Sequence, residues 1–269
     1  MLIRLLAVLS VVSWLWPTSQ SGGPPAAPCA VRYVANAGVL FETGTSKFLI
    51  DAPIRESIPP YAAPDGEMRN RVETAQPPYD GVSAILVTHW HEDHFSAPAI
   101  ATALRNSAAT VLLSSAEIVD RVRKADSSLA PERFRPMTPG PGSSERVEVS
   151  GVPIHVLRLR HSARRLPEQH VVFLIEGCRT VLHVGDADSD DENFAMLRTL
   201  PAVQVGVLPF WYVLEDRERQ FVARAIRPSR IIGMHLPPED AKDVTAKVAG
   251  VPNLVLLTTA GSVHRLRDP

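Results

Sequence analysis

Cysteine is scarce in this chain, since only Cys29 and Cys178 occur among its 269 residues. This scarcity excludes a disulfide-stapled miniprotein and a cysteine-rich zinc module. Neither sign of charge is in excess, because 28 Lys and Arg residues stand against 29 Asp and Glu residues. The chain as a whole has no positive field that would hold nucleic acid, so no nucleic-acid partner is expected. Hydrophobic residues make up 45% of the chain and charged residues 21%, which excludes a disordered protein.

The apolar segment near the N-terminus is too short to span a bilayer. It covers residues 5–16, whereas a membrane-spanning helix needs about 20. Arg4 precedes it and Pro17 ends it, followed by a Ser/Gly/Pro-rich stretch, as is typical of a Sec-type export signal and linker. We predict that residues 1–28 direct export to the periplasm or the medium, and that residues 29–269 form the functional domain. The alternatives are a buried N-terminal helix and a retained anchor; after processing, no stable membrane span is expected.

Export would place both cysteines in an oxidising compartment, where disulfides form and persist. A disulfide between Cys29 and Cys178 is therefore one interpretation. Two independent thiols are the other, because distance along the sequence says nothing about distance in the fold.

The chain begins with strand patterns and continues with strands and helices in alternation, which predicts one layered α/β domain. Residues 52–81 contain six prolines and little periodicity, so we expect a long functional loop there. Ser114 or Ser115 is a candidate N-cap. The predicted helices are residues 98–106, 115–125, 192–200, 216–226 and 238–249. The predicted strands are residues 31–36, 38–43, 47–51, 83–88, 110–114, 146–150, 153–160, 170–176, 180–186, 203–209, 230–234 and 253–259.

A dense group of ligand-type side chains follows the predicted strand at residues 83–88. The chain there reads His89-Trp90-His91-Glu92-Asp93-His94. In an extended chain His89 and His91 project to the same side, and the turn then brings Asp93 and His94 towards an adjacent position. Imidazole and carboxylate suit Zn²⁺, and also Mn or Fe. The spacing predicts a metal site; a solvated polar turn is the alternative interpretation.

This HxHxDH motif resembles the signature of the metallo-β-lactamase-fold hydrolases. The resemblance implies a four-layer αβ/βα sandwich with the metal site at one edge of the sheets. His161, Asp186 and His235 match the later ligand positions of that family, in the right order. It further implies that one or two ions bind, with Asp186 bridging them. One ion would be held by His89, His91 and His161, and the other by Asp93, His94 and His235.

Residues 31–54 and 76–89 are similar to the lactonase-like branch of this superfamily. Substrates of the superfamily range from lactones and β-lactams to thioesters and phosphodiesters. Kinship therefore implies a small-molecule substrate without naming the bond that is cleaved. The oligomeric state is open.

The chemistry that the resemblance implies is hydrolysis by metal-activated water. A divalent cation lowers the pKa of bound water to about 7, and the resulting hydroxide would cleave an ester, lactone, amide or phosphoester bond. Asp93 or Asp186 would orient this nucleophile and pass a proton to the leaving group. An iron-dependent redox enzyme on the same scaffold and a non-catalytic metal-binding module are the alternatives.

Other side chains are candidates for supporting roles. Asp51 is expected to orient a ligand, with a plain strand-end turn residue as the alternative, and His183 to orient Asp186. His155 is interpreted as a strand residue with a structural partner. Tyr61 and Tyr79 have no assigned role. The candidate substrate-binding residues are Arg164, His170 and Trp211, with donation to a ligand as the alternative role of His170.

Overall fold

The structure is a computed structural model, which describes residues 28–162 and 169–266. The predicted export signal and linker lie outside these ranges except for Pro28, and so does the candidate substrate-binding residue Arg164. Within the described ranges, no helix is both long enough and apolar enough to cross a bilayer.

The first sheet is built mainly from the N-terminal half of the chain. Its strands are β1 (Cys29–Ala35), β2 (Gly38–Thr43), β3 (Lys47–Ile50), β4 (Ala84–Val87), β5 (Val111–Ser115), β6 (Phe134–Met137) and β14 (Val263–Arg265). They lie in the order β14-β1-β2-β3-β4-β5-β6. Pairing is antiparallel from β14 to β3 and parallel from β3 to β6. As a result β1, β3 and β4 run in the same direction and end at the same edge.

The second sheet repeats this plan with the later strands. They are β7 (Ser144–Val149), β8 (Val152–Arg158), β9 (Val171–Glu176), β10 (Thr180–His183), β11 (Val205–Pro209), β12 (Arg230–Met234) and β13 (Leu254–Leu256). Their order is β13-β12-β11-β10-β9-β8-β7. Pairing is antiparallel from β7 to β10 and parallel from β10 to β13. Here β8, β10 and β12 share one direction.

Helices cover the outer face of each sheet. They are α1 (Gly66–Glu73), α2 (Ala97–Asn106), α3 (Ala116–Ala125), α4 (Trp211–Leu214), α5 (Asp216–Phe221) and α6 (Ala241–Lys247). Alternation along the strands explains the layers, because successive side chains point to opposite faces. Val31 points into the core between the two sheets. Val34, on the opposite face of the same strand, packs under α1–α3. A third cluster, which includes Tyr212 and Phe221, covers the second sheet. The predicted four-layer αβ/βα arrangement is therefore confirmed.

Three predicted segments differ from the structure. Residues 52–81 are not loop throughout, because α1 forms there with Asp65 as its N-cap, accepting from the Met68 N–H at 2.7 Å. Residues 192–200 form only a 3-10 turn at Ala195–Thr199, since the Asn193 side chain bonds to the backbone of the preceding segments instead. The helix predicted at 216–226 is α5 followed by a π-helical turn at Val222–Ile226.

The N-cap of α3 is Ser115, whose hydroxyl accepts from the Ile118 N–H. Among the described residues, sequence analysis missed β6, β14 and α4. All three are short, and β6 has two exposed residues, Arg135 and Pro136, between its buried ends.

Cys29 and Cys178 form a disulfide, so the interpretation as two independent thiols is wrong. Their Cα atoms lie 6.0 Å apart although the residues are separated by 149 positions in the sequence. The bond joins the start of β1 to the turn between β9 and β10. It therefore ties the first sheet to the second.

Candidate metal centre

The centre is assembled from residues that follow the carboxyl ends of strands of like direction. In the first sheet, β1 leads to Asn36, β3 to Asp51 and β4 to the segment 88–94. In the second sheet, β8, β10 and β12 lead to the remaining predicted ligands, His161, Asp186 and His235. Because these strands run in the same direction within each sheet, their carboxyl ends meet at one edge of the sandwich. The structure thus brings together all seven residues that the sequence predicted as ligands.

The first group of donors contains His89, His91, His161 and Asp186. Their candidate ligand atoms lie within 4.8 Å of one another. Nε2 of His89 is 2.9 Å from Nδ1 of His91. Burial and the nearby histidines lower the pKa of His91 and lower that of His89 well below its usual value. Both rings are therefore neutral, which is the form that binds a metal.

The second group contains Asp93, His94 and His235, again with candidate ligand atoms within 4.8 Å of one another. Nε2 of His94 lies 3.0 Å from Nε2 of His235, which in turn lies 3.2 Å from Oδ2 of Asp93. Burial opposes the charged form of His94, but the Asp186 and Asp51 carboxylates outweigh it and raise the pKa of His94 well above its usual value. The same balance, dominated by Asp186 and Asp93, raises the pKa of His235.

Asp186 lies between the two groups and offers one oxygen to each. Its Oδ1 is 3.3 Å from Nε2 of both His94 and His235, and its Oδ2 is 3.6 Å from Nε2 of His161. Burial alone would raise the pKa of Asp186, but the charges of His235 and His94 hold it well below its usual range. The carboxylate is therefore ionised and bridges the two groups.

The chemistry of this donor set fits divalent cations. Five imidazoles and two carboxylates converge in a buried space, and nitrogen atoms of neighbouring rings face one another at hydrogen-bond distance. Facing nitrogens can share at most one proton, whereas a cation placed between them satisfies both. Zn²⁺, Fe and Mn all accept this combination of ligands.

Asp51 fixes the orientation of one ligand from behind. Its Oδ2 contacts Nδ1 of His94 at 2.9 Å, and it also accepts from the Thr88 hydroxyl at 2.7 Å. Oδ1 of Asp51 accepts from the Thr88 N–H at 2.8 Å. The Thr88 hydroxyl in turn lies 3.0 Å from Nδ1 of His89. Bonds of this type hold the outer nitrogen of a ligand and leave Nε2 aimed at the metal.

Sequence analysis missed Asn36, which has a similar positioning role. Its side-chain amide donates to the backbone oxygen of Asp93 at 3.1 Å and to Oδ2 of Asp93 at 3.0 Å. Its backbone oxygen accepts from the His235 N–H at 3.1 Å. Asn36 and His235 both adopt positive φ angles, 49° and 60°. The one sequence signal of Asn36 is that it is a polar residue directly after an apolar strand.

His170 lies behind the ligands and is buried away from solvent. It is 2% exposed, and its Nε2 accepts from the Asp186 N–H at 3.2 Å. Its ring stands 5.2 Å from that of His89 and 5.4 Å from that of His161. Burial lowers its pKa to about 3. The structure therefore favours a role in positioning Asp186 over the predicted contact with substrate.

His183 does not orient the Asp186 carboxylate as predicted. Its Nε2 contacts the Ala37 carbonyl oxygen at 3.0 Å, and its Nδ1 accepts from the Gly185 N–H at 3.3 Å. It thereby ties the turn that precedes Asp186 to the first sheet. Thr88 and His170 leave no room for a side chain at Gly185, and the φ of +52° at this position also favours glycine.

Three partly exposed aromatic rings contact the ligand histidines. The centroid of Trp211 is 5.1 Å from that of His235, and the centroid of Tyr61 is 4.1 Å from the same ring. The ring centroid of Trp90 is 4.9 Å from that of His91. The Arg121 guanidinium lies over the Trp90 ring, with its Cζ 5.2 Å from the ring centroid. These rings give the centre an apolar rim.

The other candidates lie away from the centre. Nε2 of His155 contacts Glu176 at 2.9 Å on neighbouring strands, consistent with a structural role. Tyr79 is buried, and its hydroxyl contacts Sδ of Met68 at 2.7 Å.

Comparison with known proteins identifies the family. Residues 46–258 match the model of the Beta-lactamase superfamily domain. The chain belongs to this superfamily. A UPF0173 metal-dependent hydrolase of Pyrobaculum arsenaticum is 28% identical over 245 residues, which are 88% of this chain and 99% of that protein. The predicted family resemblance and its assignment to the metallo-hydrolases of this superfamily are thereby confirmed.

Solved structures with the same fold agree. A possible metal-dependent hydrolase from Veillonella parvula superposes with a TM-score of 0.63 at 16% identity, covering 89% of this chain and 100% of that one. CmlA, a diiron β-hydroxylase from Streptomyces venezuelae, superposes with a TM-score of 0.59 at 14% identity, covering 91% of this chain and 55% of that one. At these identities the likeness concerns the fold alone.

Proposed function

We propose that this protein is an exported metal-dependent hydrolase that cleaves an ester, lactone, amide or phosphoester bond in a small molecule. The observation that carries the proposal is the position of Asp186, whose two oxygens face two separate groups of histidines. A carboxylate shared in this way suits a pair of cations, and paired cations are common in enzymes that hydrolyse esters and phosphoesters.

The bound cations would supply hydroxide at neutral pH, because they lower the pKa of water to about 7. His89, His91 and His161 would hold one of them, and Asp93, His94 and His235 the other, with Asp186 shared. The Asp93 carboxylate is fixed by the Asn36 amide, so it is suited to orient the attacking water. It is also the group we expect to receive the proton and pass it to the leaving group.

The rim of the centre favours a substrate with an apolar portion. Tyr61, Trp90 and Trp211 contact the ligand histidines with partly exposed rings. Such rings bind aliphatic or aromatic groups beside the bond to be cleaved. A lactone or ester with an apolar side group fits this surface, with Zn²⁺ as the proposed metal.

Two features support export. The apolar segment at residues 5–16 follows a basic residue and precedes a Ser/Gly/Pro-rich stretch. The disulfide between Cys29 and Cys178 suits an oxidising compartment. We therefore propose that the folded enzyme works in the periplasm or outside the cell.

An iron-dependent redox enzyme is the second candidate. It is favoured by the mixed imidazole and carboxylate ligands, which iron also accepts, and CmlA is a diiron enzyme that has this fold. Metal analysis of protein purified without added metal distinguishes the two candidates: zinc supports hydrolysis, and two irons per chain with oxygen consumption would support redox chemistry.

The experiment that tests hydrolysis is a panel of esters, lactones, β-lactams and phosphodiesters assayed beside metal quantification. His91→Ala and Asp93→Ala should each abolish turnover and lower the metal content. His155→Ala is the matched control, because that histidine contacts Glu176 outside the centre. Full activity in both His91→Ala and Asp93→Ala would exclude the mechanism.

A further inference from the structure

Tyr61 brings a phenol group to the centre from a segment that supplies no ligand. The segment runs from the end of β3 to the start of α1. The Tyr61 ring meets the His235 ring edge-on, with an interplanar angle of 84° and a centroid distance of 4.1 Å. It is half-buried, and within the described ranges its hydroxyl forms no hydrogen bond. Burial, and after it the charges of Asp186 and Asp93, raise the pKa of this hydroxyl.

The segment that carries Tyr61 is anchored on both sides. Arg55 makes two hydrogen bonds to the Glu73 carboxylate, at 2.8 and 2.7 Å. Asp65 caps α1 on the other side. Between these anchors, the Tyr61 N–H donates to the Ile58 carbonyl oxygen at 2.9 Å and closes a turn. The ring is therefore held in place over His235.

Tyr79, the other tyrosine of residues 52–81, differs from Tyr61 because its hydroxyl has a partner within the protein. Tyr79 is 2% exposed, and its hydroxyl contacts Sδ of Met68 at 2.7 Å. Tyr61 has the opposite character, since it is partly exposed and its hydroxyl is available to an outside partner. A half-buried donor at the rim of a reactive centre is well placed to bind substrate.

We propose that Tyr61 is a catalytic residue that donates its O–H to the substrate oxygen on which negative charge develops as the bond breaks. This inference rests on the proposed hydrolysis. The phenol keeps its proton throughout, so the step is a hydrogen bond and no covalent bond of the tyrosine forms or breaks. Donors aimed at a developing oxyanion stabilise the transition state more than the ground state. Tyr61 would thus act mainly on kcat.

Tyr61→Phe tests the proposal, because it removes the hydroxyl and keeps the ring against His235. We expect kcat to fall about 100- to 1,000-fold with KM little changed, which is the range for loss of a single such donor. Tyr79→Phe is the matched control and should leave kcat unchanged. The metal content of both variants should equal that of the wild type.

A binding measurement gives a readout that does not depend on turnover. Inorganic phosphate is a tetrahedral anion, and calorimetry should show it binding the metal-loaded Tyr61→Phe variant about tenfold more weakly than the wild type. Unchanged kcat together with unchanged phosphate affinity would overturn the role of Tyr61, and so would loss of metal from Tyr61→Phe. If the wild type cleaves nothing in the panel, the proposed hydrolysis fails, and the phosphate affinities still decide whether Tyr61 contacts an anion in the centre.

Discussion

Asp51 and His94 form a fully buried pair in which Oδ2 of Asp51 contacts Nδ1 of His94 at 2.9 Å. The two residues are 43 positions apart in the sequence. The contact leaves Nε2 of His94 facing Asp186 and His235. Asp51 therefore determines which ring nitrogen of His94 is available to a metal, although it is not itself a ligand.

Asp51→Asn should weaken metal binding at the group that contains His94 by about 10- to 100-fold, the usual cost of losing a carboxylate behind a histidine ligand. Asparagine tolerates the positive φ of 48° at this position, so the change removes charge without new backbone strain. Competition with a chromophoric zinc chelator measures the affinity. Asp65→Asn, which replaces one good N-cap with another, is the control. Equal affinity in Asp51→Asn and the wild type would contradict the orienting role.

Asp186→Asn should lower the metal content of both groups, because a neutral amide cannot offer a charged oxygen to each. We expect less than one metal per chain by elemental analysis if the wild type binds two. Chelation should lower the melting temperature of the wild type, since bound metal stabilises the native state. The same treatment should barely change the melting temperature of Asp186→Asn. A full complement of metal in this variant would contradict the bridging position.

Gly185→Ala should disrupt the centre more than its backbone angle alone explains. A Cβ at Gly185 would lie 2.7 Å from the Thr88 hydroxyl oxygen and 2.8 Å from Nε2 of His170. Gly151 also has a positive φ, +76°, but a Cβ there meets nothing within 4 Å. Gly151→Ala should thus cost only the strain of the left-handed conformation, about 1–2 kcal/mol. Urea unfolding and metal content measure the difference; equal losses in both variants would show that the crowding at Gly185 has no effect.

The ligands were predictable because each follows a strand whose apolar pattern is visible in the sequence. His161, Asp186 and His235 stand apart from the motif in the sequence, and their assignment came from the resemblance, which supplied the missing spatial information. Asn36 also directly follows an apolar strand, but its residue type does not mark a metal ligand, and Tyr61 carried no signal of this kind. Asn36 reaches Asp93 across 57 residues, and Tyr61 reaches His235 only because two sheets bring distant segments to one edge.

Sequence reasoning also misjudged two buried histidines, His170 and His183, because the sequence does not show which distant segments their side chains meet. His170 begins a strand near the centre, and that place is compatible with either face of the ligand group. The fold puts it behind His89, where it accepts a hydrogen bond from the Asp186 N–H.

The helix α1 was missed because its sequence is mostly polar and buries only Val72 and Glu73, so periodicity gave little signal.

Reduction of the disulfide should destabilise the protein while leaving the centre intact. Cys29 and Cys178 are separated by 149 positions, and their bond connects the two sheets where β1 and β10 begin, at the opposite ends of these strands from the centre. Removing such a cross-link costs about 2–4 kcal/mol, because the unfolded chain gains freedom. We therefore expect a reductant to lower the melting temperature of the wild type, measured with metal kept in excess. The variant with both Cys29→Ser and Cys178→Ser should melt at the lower temperature with or without reductant. Metal content should be the same in all samples, and a wild type that reacts with thiol reagents before reduction would contradict the bond.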